Sequence, residues 1–270
     1  MPEGPEVRSI ADALVWMEGK KIVKISSMFV VPGLKSEMLP LMIKKVWCHG
    51  KRIIITCDKG VHFFIFLAMT GVWLLEQTKH TRMLVEMEDE SKNKGGGYKV
   101  YFDDLRHMGK VEVLSDADVS KKIISVGPDI LQLTSWKQLY NHVVRRAGPY
   151  QRLCDMLLDQ ELFNGVGNYL RSEILYYARA YPFMLWINTP EQIRVDLIYG
   201  AWFLTHESYK VKGLSISDYR LPDGSKGMYK PMIYNQKITS TTGNPVTYLK
   251  DGDGKAARGL YVDTATQKHP

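Results

Sequence analysis

The feature that most constrains this chain is a change of hydrophobic period near Val126-Gly127-Pro128-Asp129. Before it, short apolar runs alternate with polar residues, which puts successive side chains on opposite faces of strands. Residues 20–25, 52–56, 62–68, 82–88, 98–102 and 111–114 read this way. Met69-Thr70-Gly71 interrupts the series, and Ser91 to Gly97 is a loop. After the boundary the period is helical. Ser135 or Thr134 caps a helix over 136–146, and further helices are expected over 149–159, 169–180 and 191–210. Polar, glycine-bearing residues 214–228 read as a mobile loop. Beyond 233 the pattern is strand-like again, with 245–249 and 259–262 flanking Asp251-Gly252-Asp253-Gly254. An isolated hairpin is marginally stable, so this one is expected to lean on the helices. The expected fold class is α+β, divided into 1–125 (a helix and β-sandwich), 126–232 (helical) and 233–270 (a hairpin).

Met1-Pro2-Glu3-Gly4-Pro5-Glu6 precedes the first strand. Pro5 suits the first position of a helix, because its missing N–H costs nothing there. Val7, Ile10, Ala11, Leu14 and Met17 continue that helix at apolar spacing to about Glu18, with Gly19 to end it. If Met1 is removed, Pro2 carries a free secondary amine. An α-amino group titrates near ~7.7–8.0, so part of it is unprotonated and nucleophilic at neutral pH. Glu3 stands beside it, in reach to move protons. The positive end of the helix favours a neutral amine and an ionised carboxylate. If Met1 stays, the Pro2 nitrogen is an amide and this chemistry is closed.

Composition narrows the partners. The formal charge of +7 and pI near 9.1 suit a polyanion, most commonly nucleic acid. No apolar run nears the ~18 residues of a membrane span, and no secretory signal is visible, so an intracellular protein without a membrane partner is expected. Cys48, Cys57 and Cys154 are scattered and odd in number, which excludes a disulfide framework and a four-cysteine zinc site. Asn164-Gly165-Val166-Gly167-Asn168 feeds a helix start, a place where backbone N–H groups can meet phosphate or simply turn the chain. Arg258 sits at the mouth of the second hairpin strand, where a guanidinium can fork onto phosphate or stay solvated.

Several motifs fall in one order along the chain: the opening Met-Pro-Glu-Gly-Pro-Glu-Val, Gly50-Lys51, Met69-Thr70-Gly71, Phe102-Asp103-Asp104-Leu105-Arg106, Gly127-Pro128-Asp129 and Leu157-Leu158-Asp159-Gln160. The most specific is Gly165-Val166-Gly167-Asn168-Tyr169-Leu170-Arg171-Ser172-Glu173-Ile174-Leu175, which resembles a helix–two-turn–helix signature. Together they resemble the formamidopyrimidine-DNA glycosylase and endonuclease VIII family over essentially the whole chain. The resemblance implies a bifunctional glycosylase and AP lyase in base excision repair. It would excise oxidised pyrimidines and formamidopyrimidines and cleave the strand by β,δ-elimination. Its partner would be double-stranded DNA with oxidised bases or abasic sites, and it would act as a monomer without metal or organic cofactor. A non-catalytic DNA-binding relative is the alternative if Met1 is retained. A ribosomal or RNA-binding protein would also be basic, but it needs neither the Pro-Glu start nor Asn168.

Position by position, the resemblance makes Pro2 the nucleophile and Glu3 the acid/base. It makes Lys51, Asn168 and Arg258 a clamp on phosphate beside the lesion, with Gly165 and Gly167 shaping the turn at the DNA. Met69, Arg106 and Met108 would fill the gap left by a flipped base. The family's usual four-cysteine zinc ribbon is missing: Val246, Leu249, Val262 and Ala265 stand at the candidate positions. The hairpin therefore resembles the zincless-finger branch of endonuclease VIII-like enzymes, with apolar contacts in place of metal. Gln151 replaces a frequent lysine, and Gly4 and residues 213–219 point to different sides of the family, which leaves substrate preference open.

Overall fold

The computed structural model describes residues 2–88, 97–215, 219–252 and 258–268. They form two compact units: Met1–Ser125 with Ser215–Gly227, and Val126–Leu214 with Met228–Pro270. Among the described residues no helix is long and apolar enough to cross a membrane.

The first unit begins with α1, Gly4–Ala13. It starts there because Glu3 and Glu6 form a reciprocal capping box: the Glu3 N–H donates to Glu6 Oε2 at 2.8 Å, and the Glu6 N–H donates to the Glu3 carboxylate. Pro5 thus occupies the second helical position, not the first. The helix also stops earlier than its periodicity predicts. A 3₁₀ turn, Val15–Met17, takes over after Leu14, yet Leu14 and Met17 remain fully buried. The apolar spacing therefore described burial correctly while the backbone tightened.

Eight strands follow: β1 Lys21–Ser27, β2 Leu41–His49, β3 Arg52–Cys57, β4 Val61–Phe66, β5 Gly71–Leu74, β6 Thr81–Glu88, β7 Tyr98–Asp104 and β8 Lys110–Ser115. All pairs are antiparallel, in the order β5-β7-β6-β1-β2-β3-β4-β8. The sheet doubles over as a β-sandwich, since Trp73 of β5 and Val85 of β6 share one core with Phe63 and Ile65 of β4. α1 packs on β2 and β3. On the other face α2, Asp116–Ile124, covers Ile54 and Phe64 through Val119.

Two strands are not visible in the sequence pattern. In β2 a register shift between Ile43 and Lys45 inserts an extra residue, which flips the alternation midway. β5 is only four residues long. The polar stretch read as a mobile loop also behaves differently: Tyr219 and Leu221 are buried in the sandwich core, and the Leu75 N–H donates to Pro222 O at 3.2 Å. Two apolar side chains suffice to anchor it, too few to leave a period.

In the second unit α3 (Trp136–Arg146), α4 (Leu153–Met156), α5 (Asn168–Tyr177) and α6 (Glu191–Lys210) precede the hairpin β9 (Thr247–Lys250) and β10 (Gly259–Val262). Ser135 and Gln138 close a capping box on α3. α4 is one turn instead of the expected 149–159. The chain before it pairs with residues 184–187: Arg152 bridges Leu185, and the Trp186 N–H donates to Gln151 O.

The burial of Tyr219 gives a stability test. Tyr219→Ala should cost about 3–5 kcal/mol in urea unfolding, the range for removing a buried aromatic side chain. Its hydroxyl lies near Ser9 but, among the described residues, makes no hydrogen bond of good geometry, so Tyr219→Phe should change stability by less than about 1 kcal/mol.

Candidate functional site

Pro2 and Glu3 are both buried at the start of α1, and Glu3 is 2 % exposed. Its carboxylate is held on the helix N-terminus by the Glu6 N–H. The helix end favours the ionised form. Glu6 is equally buried, and Tyr219 lies near it, its phenol pushed above the ordinary value by burial and then by the Glu6 charge. Cys57 and Cys154 offer no competing nucleophile near neutral pH, since burial first, then a neighbouring aspartate, pushes each up to about 12.

Lys51 lies in the two-residue turn between β2 and β3, where His49 pairs with Arg52, and it is half-buried. The next guanidinium, Arg52, donates to Lys51 O at 3.3 Å and stacks 4.1 Å from the Phe66 ring.

Met69, Arg106 and Met108 are brought onto one framework by a residue that sequence reading quoted but gave no role. Asp104 ends β7. Its Oδ1 accepts from Thr70 Oγ1 (2.6 Å) and the Arg106 N–H (3.2 Å), and its Oδ2 from the Gly109 N–H (2.7 Å). Thr70 adjoins Met69, and residues 105–109 carry Arg106 and Met108. Arg106 and Met108 are exposed and Met69 half-buried. Asp103 does the same for another loop, accepting from the hydroxyls of Thr78 and Thr81. Paired acids ending an apolar strand were the available signal.

In the second unit, Gln160 organises the turn before α5. Its Nε2 donates to Leu158 O and Val166 O, and its Oε1 accepts the Gly165 N–H at 3.3 Å. The Gly165 N–H thus points inward, and its φ of 107° is a conformation only glycine adopts easily. Gly167 is the buried, extended N-cap of α5. Gln151 is used in a turn as well, accepting from the Gly148 N–H at 2.8 Å.

Asn168 and the Arg258 backbone meet through an ion pair between buried Arg171 and partly buried Asp251. Arg171, fully buried, donates to Asp251 Oδ2 (2.6 Å), Asn168 Oδ1 (2.6 Å) and Gly259 O (3.3 Å). Asn168 Nδ2 donates to Gly259 O at 3.1 Å, and the Arg258 N–H donates to Asp251 Oδ1 at 2.6 Å. The Arg258 side chain is exposed. Burial pushes the Asp251 carboxyl up, but the hydrogen bonds from Arg171 and the Arg258 N–H outweigh it and hold the group below its usual range.

The hairpin is stabilised by rings and a polar hub as well as by the expected apolar contacts. Tyr261 packs between Tyr234 (5.0 Å) and Tyr248 (5.3 Å). Buried Asp263 accepts from Asn244 Nδ2, the Ala265 N–H and Thr242 Oγ1. Its own N–H reaches Gln267, which donates on to Ala180 O. Of the candidate zinc positions, Val262 is buried, and none of Val246, Leu249, Val262 and Ala265 offers a thiolate or imidazole; the residues do not fit a zinc ion. Among the described residues no group of three His, Cys, Asp or Glu stands together.

Residues 1–111 match the family model described as the formamidopyrimidine-DNA glycosylase N-terminal domain. The chain is 26% identical over 263 residues to the formamidopyrimidine-DNA glycosylase of Solibacter usitatus, across 93% of this chain and 92% of that protein. It is 30% identical over 187 residues to that of Thermus thermophilus, across 67% and 66%. To endonuclease 8 of Pectobacterium carotovorum it is 28% identical over 190 residues, across 67% and 70%. In fold it is similar to the MutM (Fpg) protein of Thermus thermophilus, with TM-score 0.84, 24% identity and full coverage of both chains. It is likewise similar to Lactococcus lactis Fpg solved with abasic-site DNA, with TM-score 0.83, 22% identity and coverage of 99% and 100%.

Asp251→Asn should destabilise the second unit by about 3–5 kcal/mol at pH 7, because it strands the buried Arg171 charge. The folded Asp251 carboxyl titrates below its ordinary value of 3.8, so its contribution is complete above that value and lost as pH falls through the folded one. Chemical denaturation should therefore show a constant gap between wild type and variant above about pH 5 that narrows in stronger acid.

Proposed function

Because the chain belongs to the formamidopyrimidine-DNA glycosylase and endonuclease VIII family, we propose that it is a bifunctional DNA glycosylase and AP lyase. It excises oxidised pyrimidines and formamidopyrimidines and then cleaves the strand. The observation that carries the reading is the buried Pro2-Glu3 start of α1, with the Glu3 carboxylate fixed on the helix N-terminus by the Glu6 N–H.

The target base must leave the stack, at an expense of a few kcal/mol that is least for a damaged base. With Met1 removed, the Pro2 amine attacks C1′ as the bond to the base breaks and the base departs with a proton. Glu3 protonates O4′ as the C1′–O4′ bond breaks and the sugar ring opens to the iminium. This makes the C2′ proton acidic, its loss expels the 3′ phosphate, and a second elimination expels the 5′ phosphate. Glu3 is the group placed to carry these protons. Lys51, Asn168 and Arg258 hold backbone phosphate, which positions the DNA without reading sequence. Met69, Arg106 and Met108 occupy the emptied place in the stack.

The finger works without zinc in this reading, since no cysteine or histidine lies between Val246 and Ala265. Elemental analysis of the purified protein should give far less than one equivalent of zinc, and chelator should leave its activity unchanged. Stoichiometric zinc, or activity lost on chelation and restored by the metal, contradicts this.

The function itself is tested by borohydride reduction of the protein with a duplex carrying one oxidised base. The expected result is a covalent adduct mapping by mass spectrometry to Pro2, with Met1 absent. Glu3→Gln should slow product formation by about 10²–10⁴-fold, the range for a general acid/base. Tight binding with no adduct and no excision identifies a non-catalytic relative, and an adduct on a lysine moves the nucleophile.

A further inference from the structure

We propose that Asp104 is a positioning residue that presets Met69, Arg106 and Met108 for insertion into duplex DNA; the inference rests on the glycosylase reading above. Asp104 pairs with Gly71 across β5 and β7, so the loops before β5 and after β7 leave the same end of this strand pair. Those loops carry the three side chains. The Asp104 carboxylate is 2 % exposed, yet Leu105 and Met108, one and four residues on, are 58 % and 51 % exposed. A charge is thus buried at the root of a loop that holds apolar side chains out in water.

Every partner of that carboxylate is a donor. Thr70 Oγ1 donates to it while accepting the Arg106 N–H at 3.0 Å, so Thr70, Arg106 and Asp104 close a small ring of hydrogen bonds. The Gly109 N–H binds the second oxygen, and the His107 N–H returns to Asp104 O at 3.4 Å. An acceptor-only side chain is required here, because an amide would turn N–H toward one of these donors. A Cβ on residue 109 would lie 2.7 Å from Phe102 Cζ and 3.1 Å from Asp104 Oδ2, which leaves room only for glycine. His107 takes φ 55° to complete the turn. A loop so tied at both ends is ordered before DNA arrives and need not be ordered at the moment of insertion.

Insertion matters only where a base must be extruded from a stacked duplex. Wild type, Asp104→Asn, Thr70→Val and Thr70→Ser are compared on one oxidised base in duplex, on the same strand alone, and on a duplex with a preformed abasic site. Asp104→Asn and Thr70→Val should lower single-turnover excision from the duplex by about tenfold or more, as misplaced groups commonly do. Single-strand excision and abasic-site trapping should move by less than about twofold, and Thr70→Ser should restore the duplex rate. A uniform fall on all three substrates indicates general damage and overturns the proposal, as does an unchanged duplex rate. 2-Aminopurine opposite the abasic site reports insertion without chemistry. If wild type perturbs its fluorescence and Asp104→Asn at saturation does not, the positioning role stands even when no excision occurs and the glycosylase reading fails. Equal perturbation by both overturns the positioning role.

Discussion

Buried carboxylates saturated by donors are the interaction on which the irregular parts of this structure depend. A carboxylate out of water is costly unless its lone pairs accept hydrogen bonds, so each such group fixes the backbone that supplies them. Glu3 and Glu6 fix the start of α1. Asp104 fixes the loops at one end of β5 and β7. Glu173 accepts from the Met232, Ile233 and Tyr234 N–H groups and the Tyr229 hydroxyl, and so holds the approach to the hairpin. Buried Asp263, and Asp251, which is partly exposed but equally well bonded, brace the hairpin itself. Pro2, Arg106, Asn168 and the Arg258 backbone each lie within three residues of one of these acids or are hydrogen-bonded into its network. Met69 and Met108 adjoin Thr70 and Gly109, which are hydrogen-bonded to Asp104.

The same arrangement shapes the field outside. Among the described residues seven acidic side chains are buried against a single buried arginine, Arg171. Removing them from the surface makes its positive excess larger than the formal +7. A glycosylase of this family gains from that twice. Steering toward a polyanion depends on the exposed charge, and the buried acids that raise it also position the residues that would meet the DNA.

The hairpin is braced by side chains drawn from distant parts of the chain. A metal fixes a ribbon through a few strong directional bonds. Here the Arg171–Asp251 pair, the Asp263 hub and the stacked rings of Tyr234, Tyr261 and Tyr248 do so through many weaker ones. The apolar replacement expected from Val246, Leu249, Val262 and Ala265 is only part of it, since position-by-position comparison cannot see partners elsewhere in the chain.

Much of this protein was legible in the sequence alone. Period 2 before Val126 and period 3.6 after it determined an α+β chain, because strand and helix burial impose those spacings locally. α3, α6 and β10 lie where the pattern puts them, and the Pro-Glu start and the run from Gly165 to Leu175 carried the family. Tertiary structure decided what local spacing cannot encode. The bulge in β2 reverses its alternation, so no single period describes it. Tyr219 and Leu221 join the sandwich core from more than a hundred residues beyond the other core strands, and two side chains leave no period. Asp104, Arg171 and Asp251 acquire their roles from hydrogen-bond partners up to 88 residues away, a pairing that exists only once the chain has folded.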